Sequence, residues 1–205
     1  MNDRYHSFAQ LAAAESEGID YRIRIAERQS PVLVLAPHGG WIEPGTSELA
    51  AAIAESAFSL YCFEGLVEGC YARLHITSHR FDEPKASALV AAAAVVVAIH
   101  GRLDRDDPEA VWMGGRDTGL RDAIGAALIA AGFAATADGH EFPAESRENI
   151  CNRGRSGAGV QLELPRTLRD AFARDAGWMN AFAAALRSTI DKRLSSLSAP
   201  LGRRG

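Results

Sequence analysis

The sequence predicts an α/β protein, a single-domain three-layer sandwich around a central mixed, largely parallel sheet. Three observations lead there. Short apolar runs at residues 32–36, 93–99 and 159–164 have the near-continuous hydrophobicity of strands covered on both faces. Helical patterns such as 117–131 and 176–194 alternate with them, as layered α/β folds require. A chain of 205 residues can bury one such core but leaves two domains thin.

Residues 8–17 are alanine-rich and read as a helix, and 21–25 alternate polar and apolar like a strand with one wet face. The polar run 27–30 before Pro31 is a turn into the buried strand 32–36. Thr46 or Ser47 then caps a helix to about Ser56, with Glu48 favourably placed in its first turn. Residues 60–63 and 73–76 read as strands, with 64–69 a turn between them. Pro84 opens a helix that leads into the strand 93–99. A short strand at 111–113, a helix over 117–131 ending at Gly132 and a strand at 133–136 follow. The polar, aperiodic stretch 138–157 reads as a functional loop. A strand at 159–164 and helices at 166–173 and 176–194 close a core spanning about 20–194, with the tail 195–205 expected to fray.

The formal net charge of -4, from 26 acidic and 22 basic residues with signs interspersed, lacks the concentrated basic face of a nucleic-acid groove. A few local arginines can still hold an anionic substrate. The most apolar stretch, 86–99, is too short to span a bilayer, so no membrane partner is expected. The first residues lack the basic start and apolar core of a secretory signal, and the three cysteines form no paired framework. Both features suggest a reduced, cytoplasmic setting. Oligomeric state leaves no signature in the sequence.

Pro37-His38-Gly39-Gly40-Trp41-Ile42-Glu43 follows the first buried strand, and His100-Gly101 ends another. Imidazole and carboxylate ligands suit zinc, whose catalytic sites commonly use three protein groups. His38, Glu43 and His100 form the candidate metal set. His38 and Glu43 stand five positions apart, not at helical spacing, so a loop turned by Gly39 and Gly40 has to bring them together. A histidine beside glycine at a strand end also serves as a hydrogen-bonded turn residue, and Trp41 suits either a cleft wall or packing.

Within Val160-Gln161-Leu162-Glu163-Leu164, alternation puts Gln161 and Glu163 on one face. A carboxylate there is costly unless paired or functional. Asn152 and Arg153 lie in the preceding loop, where the guanidinium fork either binds a substrate carboxylate or staples the loop. His75 points away from its apolar neighbours Leu74 and Ile76, towards either substrate or a ligand. Arg80 reaches Asp82 or substrate, and Glu64, Asp82 and Glu83 are candidates for orienting histidines.

The segment 38–48, with Phe63-Glu64-Gly65, His75-Ile76-Thr77-Ser78, Phe81-Asp82-Glu83-Pro84, Ile99-His100-Gly101, Asn149-Ile150-Cys151-Asn152-Arg153 and Gln161-Leu162-Glu163-Leu164, resembles the poly-gamma-glutamate hydrolase family. The blocks extend over roughly residues 20–170. The resemblance implies a zinc carboxypeptidase-like fold and a Zn2+-dependent hydrolase cleaving gamma-glutamyl amide bonds. It further implies Glu163 as general base and Arg153 and Asn152 as contacts for an anionic glutamyl polymer or oligomer, with His75 and Arg80 as the added catalytic and substrate-binding candidates from their own positions. Members of this family occur in phages and bacteria, and some are labelled phage replication proteins, a role the acidic balance opposes. For a phage enzyme without a signal, release by lysis is the expected route. A zinc amidase or carboxypeptidase acting on another carboxylate-bearing amide is the alternative reading, and a non-enzymatic metal- or ligand-binding module is the other.

Overall fold

The computed structural model describes residues 3–198. A seven-stranded sheet in the order β1-β3-β2-β4-β7-β5-β6 forms its middle layer. The strands are β1 (Tyr21–Ala26), β2 (Val32–Gly40), β3 (Ser59–Gly65), β4 (Val95–Gly101), β5 (Val111–Gly114), β6 (Ala135–Thr136) and β7 (Val160–Leu164). β3, β2, β4 and β7 run parallel; β1 and β5 pair antiparallel with β3 and β7, and β6 runs parallel to β5.

The apolar run of β2 faces two cores, which explains why it reads as continuous. Val32, Val34 and Ala36 join a cluster with Val95, Val97, Ile99, Val160 and Leu162. Helices α2 (Thr46–Ala54), α5 (Thr118–Ala130), α6 (Arg166–Arg174) and α7 (Ala176–Ser198) cover that face. Leu33 and Leu35 point the other way, against Tyr61, Phe63, Val96 and Ala98. There the cover is α1 (Phe8–Ala14), α3 (Tyr71–Leu74) and α4 (Pro84–Ala92) with Ile150 and Cys151. Two dry cores and a sheet between them make the three layers predicted.

Local differences from the sequence reading have physical causes. Residues 73–76, expected as a strand, divide into the last turn of α3 and an extended segment outside the sheet, because the β3 edge is already occupied by β1. Thr46 lies inside α2 instead of capping it; its Oγ1 donates to the Glu43 carbonyl at 2.8 Å, while Gly45 takes the cap position with φ +93°. α7 continues to Ser198, past the residue where the sequence pattern weakens. The frayed tail expected from 195 to 205 lies, beyond Ser198, outside the described residues. No helix among the described residues is long and apolar enough to cross a membrane.

From β2 the chain moves through α2 to β3 on one side, then returns past β2 to β4 on the other. Connections leaving in opposite directions open a crevice beyond the carboxyl ends of β2 and β4, the usual ligand position of an open parallel sheet. His38 and His100 stand at those two ends.

Candidate metal centre

A break in the β2 ladder places His38. Ala36 pairs with Cys62 and Gly39 with Glu64, so β2 carries one residue more than β3 between those pairs. Pro37 has no N–H for a ladder bond, and the extra residue forms a bulge that re-aims its neighbour. Gly39 follows because space is missing: a Cβ there would lie 2.0 Å from Ser47 Oγ. Gly40 has φ +60°, a conformation glycine adopts at little cost. The chain then folds back, with the Glu43 N–H donating to the His38 carbonyl at 2.9 Å. The Glu43 side chain thereby returns to the histidine five residues earlier.

Four side chains meet. His38 Nδ1 lies 3.1 Å from Glu43 Oε1 and 3.1 Å from His100 Nδ1. His100 Nδ1 is 3.7 Å from Glu43 Oε2, and His75 Nε2 is 4.0 Å from Glu43 Oε1. The His38 and His75 rings face each other with centroids 4.1 Å apart. Donor atoms of His38, Glu43 and His75 all lie within 4.8 Å of one another, a cluster able to ligate a metal ion. Bonds of about 2.0–2.2 Å to nitrogen and oxygen in a tetrahedral site separate ligand atoms by roughly 3.4 Å. The donor types and these spacings fit zinc, and His100 adds a fourth donor at comparable range.

Each histidine has its outer nitrogen occupied. His38 Nε2 donates to the Ile76 carbonyl at 2.8 Å, His75 Nδ1 meets Asp3 Oδ1 at 2.9 Å, and His100 Nε2 meets Ser78 Oγ at 3.3 Å. Such outer partners fix ring orientation and leave the opposite nitrogen facing inwards. The Gly101 N–H donates to Glu43 Oε2 at 2.7 Å, tying the carboxylate to the end of β4.

The electrostatics draw positive charge to the centre. Burial opposes charging His38, but the Glu43 carboxylate, by charge and hydrogen bond, raises its pKa nonetheless. Burial would likewise raise Glu43; the His38 charge and hydrogen bond, helped by His100 and His75, pull it down to about 2. His75 is lowered to about 4 and His100 to about 3, first by burial and then by the neighbouring His38 charge. His75 and His100 are thus held neutral beside an ionised Glu43, the protonation states a metal needs, whereas His38 has a proton to release when a metal binds.

Glu163 pairs with His100 across β4 and β7, and Trp112 of β5 flanks it on the other side. Register partners point to the same face, so Glu163 stands beside the cluster. Gln161 Nε2 donates to Glu163 Oε1 at 2.8 Å, and Asn149 Nδ2 holds the Gln161 oxygen at 2.9 Å. Burial and then the charge of Glu43 push the Glu163 carboxyl well above the usual carboxylate range, against Arg102, Arg169 and the Gln161 hydrogen bond.

Other sequence candidates lie elsewhere. Arg153 donates to the carbonyls of Glu148, Phe81 and His79. Asn152 is buried, its Oδ1 accepting from Arg116 and Gly159 and its Nδ2 donating to Ala144 and Ser146. Both side chains staple the 138–159 loop, which needs its many carbonyls satisfied, and neither presents a free fork to a carboxylate. Arg80 reaches His6, not Asp82, at 2.8 Å. Asp82 accepts from Phe8 N, Glu83 caps α4, and Glu64 is paired with Arg22 and Arg24. Trp41, 46% exposed, lines a cavity of about 330 Å³ with Pro44, Glu48 and Glu64; none of the four cluster side chains borders it.

Sequence reasoning missed Asp3, Ser78, Arg102 and Arg169. Ser78 stood within a recognised block, but Asp3 sits far from the site in sequence and carries no pattern. Arg102 lies over the Trp112 ring at 3.7 Å. Arg169 donates to the carbonyls of Pro44 and Arg102, joining the ligand loop to the end of β4.

The chain matches the profile of the poly-gamma-glutamate hydrolase family over residues 5–185. It is 35% identical to the UPF0714 protein YmaC of Bacillus subtilis, over 94% of this chain and 86% of that one. With the SPbeta prophage-derived UPF0714 protein YoqZ of the same organism it shares 38% identity, over 79% of this chain and 58% of the other. A solved bacteriophage poly-gamma-glutamate hydrolase superposes with a TM-score of 0.90 at 33% identity, covering 95% of this chain and all of that one. The zinc-free apo form of YndL gives 0.81 at 32% identity, covering 97% and 100%. An N-formylglutamate amidohydrolase from Ralstonia eutropha, at 14% identity, 0.54, and coverage of 86% and 99%, shares the fold. With this match and its clustered His38, Glu43 and His75, the chain belongs to the poly-gamma-glutamate hydrolase family and is a metal-activated hydrolase.

Proposed function

We propose that this protein hydrolyses the amide bonds of gamma-linked glutamyl chains at the His38, Glu43, His75 and His100 centre. The observation that carries the reading is the convergence of three inward-facing imidazole nitrogens and one ionised carboxylate, with a second carboxyl of raised proton affinity beside them. The substrate class rests on family membership and on likeness to the bacteriophage poly-gamma-glutamate hydrolase.

His38, Glu43 and His100 are the first-choice zinc ligands: His38 Nδ1 lies 3.1 Å from both Glu43 Oε1 and His100 Nδ1, near a tetrahedral edge, and His100 Nδ1 lies 3.7 Å from the other Glu43 oxygen, whereas His75 Nε2 stands 4.0 Å from Glu43. When bound, zinc supplies Lewis acidity and a water nucleophile at neutral pH. Glu163 is the general base: it takes the nucleophile's proton on its carboxylate and returns it to the leaving nitrogen. A carboxyl whose proton affinity is raised by burial and by Glu43 suits both halves of that transfer. Gln161, itself held by Asn149, keeps the group oriented. His75, 4.0 Å from Glu43, supports the centre or contacts substrate. Arg80, held through His6 and not by a carboxylate, remains the candidate contact for an anionic glutamyl unit.

The test is cleavage of gamma-linked and alpha-linked oligoglutamates by the zinc-loaded protein, read as new amino termini. We expect the gamma-linked chains to be cut and the alpha-linked chains to survive. Zinc-loaded protein that leaves gamma-linked chains intact overturns the proposal.

A further inference from the structure

Residues 75–78 serve every histidine of the centre. His75 contributes its own ring, the Ile76 carbonyl accepts from His38 Nε2, and Ser78 Oγ meets His100 Nε2. This segment leaves α3 and joins no strand, so no sheet ladder fixes its position. Ile76 is buried in the core and the Ile150 N–H donates to the Ser78 carbonyl at 2.9 Å, while Asp3 grips His75 and Thr77. Its Oδ1 meets His75 Nδ1 at 2.9 Å and its Oδ2 accepts from Thr77 N at 2.9 Å. The carboxylate is only 7% exposed, although the residue lies 72 positions before His75 and outside the residues 5–185 matched by the family profile.

We propose that Asp3 is a positioning residue of the metal centre. A carboxylate offers only acceptors, so it selects the His75 tautomer with the proton on Nδ1 and the free Nε2 directed towards Glu43. By gripping Thr77 as well, it fixes the two groups on either side of that residue, which orient His38 and His100. One side chain thereby contacts the segment that orients three imidazoles, directly at His75 and through Thr77 for the other two. The rival role is a fold anchor that merely docks the residues preceding α1; the Phe8 N–H to Asp82 Oδ1 bond at 2.5 Å serves that docking without touching any histidine.

The proposal rests on the metal reading above. Its test compares zinc affinity, by chelator competition, in the parent, Asp3→Asn, Asp3→Ala and Asp82→Ala, together with the His75 tautomer in zinc-free protein by 15N NMR. Asp3→Ala is expected to bind zinc about 10–100-fold more weakly, the usual effect of losing an outer-shell partner. Asp3→Asn, which keeps an oxygen but not the charge, should fall between, and carries the test if the alanine variant does not fold. His75 should carry its proton on Nδ1 in the parent and as a mixture in Asp3→Ala. Asp82→Ala should bind zinc as the parent does. Folded Asp3→Ala with parental zinc affinity and an unchanged His75 tautomer overturns the proposal alone, as does an equal loss of affinity in Asp82→Ala. A parent that takes up no zinc overturns the metal reading and this proposal together.

Discussion

Replacing Glu163 by glutamine removes one ionisable proton site and almost nothing else. The amide keeps an oxygen for Gln161 Nε2, now 2.8 Å from Oε1, and has nearly the volume of the carboxyl. It also removes a potential negative charge from beside Glu43, whose repulsion helps hold the Glu163 proton in place. Thermal stability should therefore stay within about 1 kcal/mol of the parent, or rise, because a buried carboxyl is exchanged for a neutral group. Zinc affinity should change less than tenfold, since Glu163 is not among the proposed ligands. Turnover should fall about 10²–10⁴-fold, the usual worth of a positioned general base, or roughly 3–5 kcal/mol of barrier. Melting, zinc content and initial rates on a gamma-linked oligoglutamate measure the three quantities on one preparation. Parental turnover in a folded, zinc-replete variant refutes the base assignment.

Acid should destabilise the zinc-free protein. His75 and His100 have folded pKa values of about 4 and 3 against 6.5 unfolded, so below pH 6.5 the unfolded chain binds their protons first and stability falls towards pH 3–4. Glu43, held at about 2, adds a further loss below 4.5, whereas raised His38 acts in the opposite direction, its contribution being present at low pH and lost on alkalinisation. Urea midpoints should fall from pH 7 to 4, with the unfolding free energy dropping by an amount on the order of a few kcal/mol; flat midpoints contradict the burial of neutral His75 and His100. Gly39→Ala should cost about 1–3 kcal/mol, because its Cβ would lie 2.0 Å from Ser47 Oγ, and an unchanged melting temperature would show that the loop has room. Arg153→Ala leaves the carbonyls of Glu148, Phe81 and His79 without their donor. Expected are a loss of about 1–3 kcal/mol and faster proteolysis of the 138–159 loop, with KM little changed. A large rise in KM without loss of stability would restore Arg153 as a substrate contact.

The layers and most strands were legible because burial leaves a compositional mark: β2 and β4 are apolar on both faces and read as unbroken runs. The helix opened by Pro84 and the helical pattern over 117–131 followed from local chemistry. His38, Glu43 and His100 were legible through their place after buried strands, since strand ends in parallel sheets open on one crevice. The true conformation of 73–76 was hidden because a segment lying against a sheet face has the same apolar neighbours as a strand within it. The carbonyl partners of Arg153 were not legible because a guanidinium fork satisfies backbone carbonyls as well as carboxylates, and sequence does not say which lies within reach. Asp3 was invisible for a simpler reason: its partner is set by tertiary contact alone.

Zinc analysis with X-ray absorption on the parent and on His38→Ala tests the central claim most directly. The account predicts one zinc per chain in the parent, bound by nitrogen and oxygen at about 2.0–2.2 Å, and loss of that zinc in the folded variant. A folded parent that holds no stoichiometric zinc after equilibration with the metal, or one whose zinc shows sulfur ligation, contradicts it, because Cys62, Cys70 and Cys151 are buried and belong to no donor cluster among the described residues.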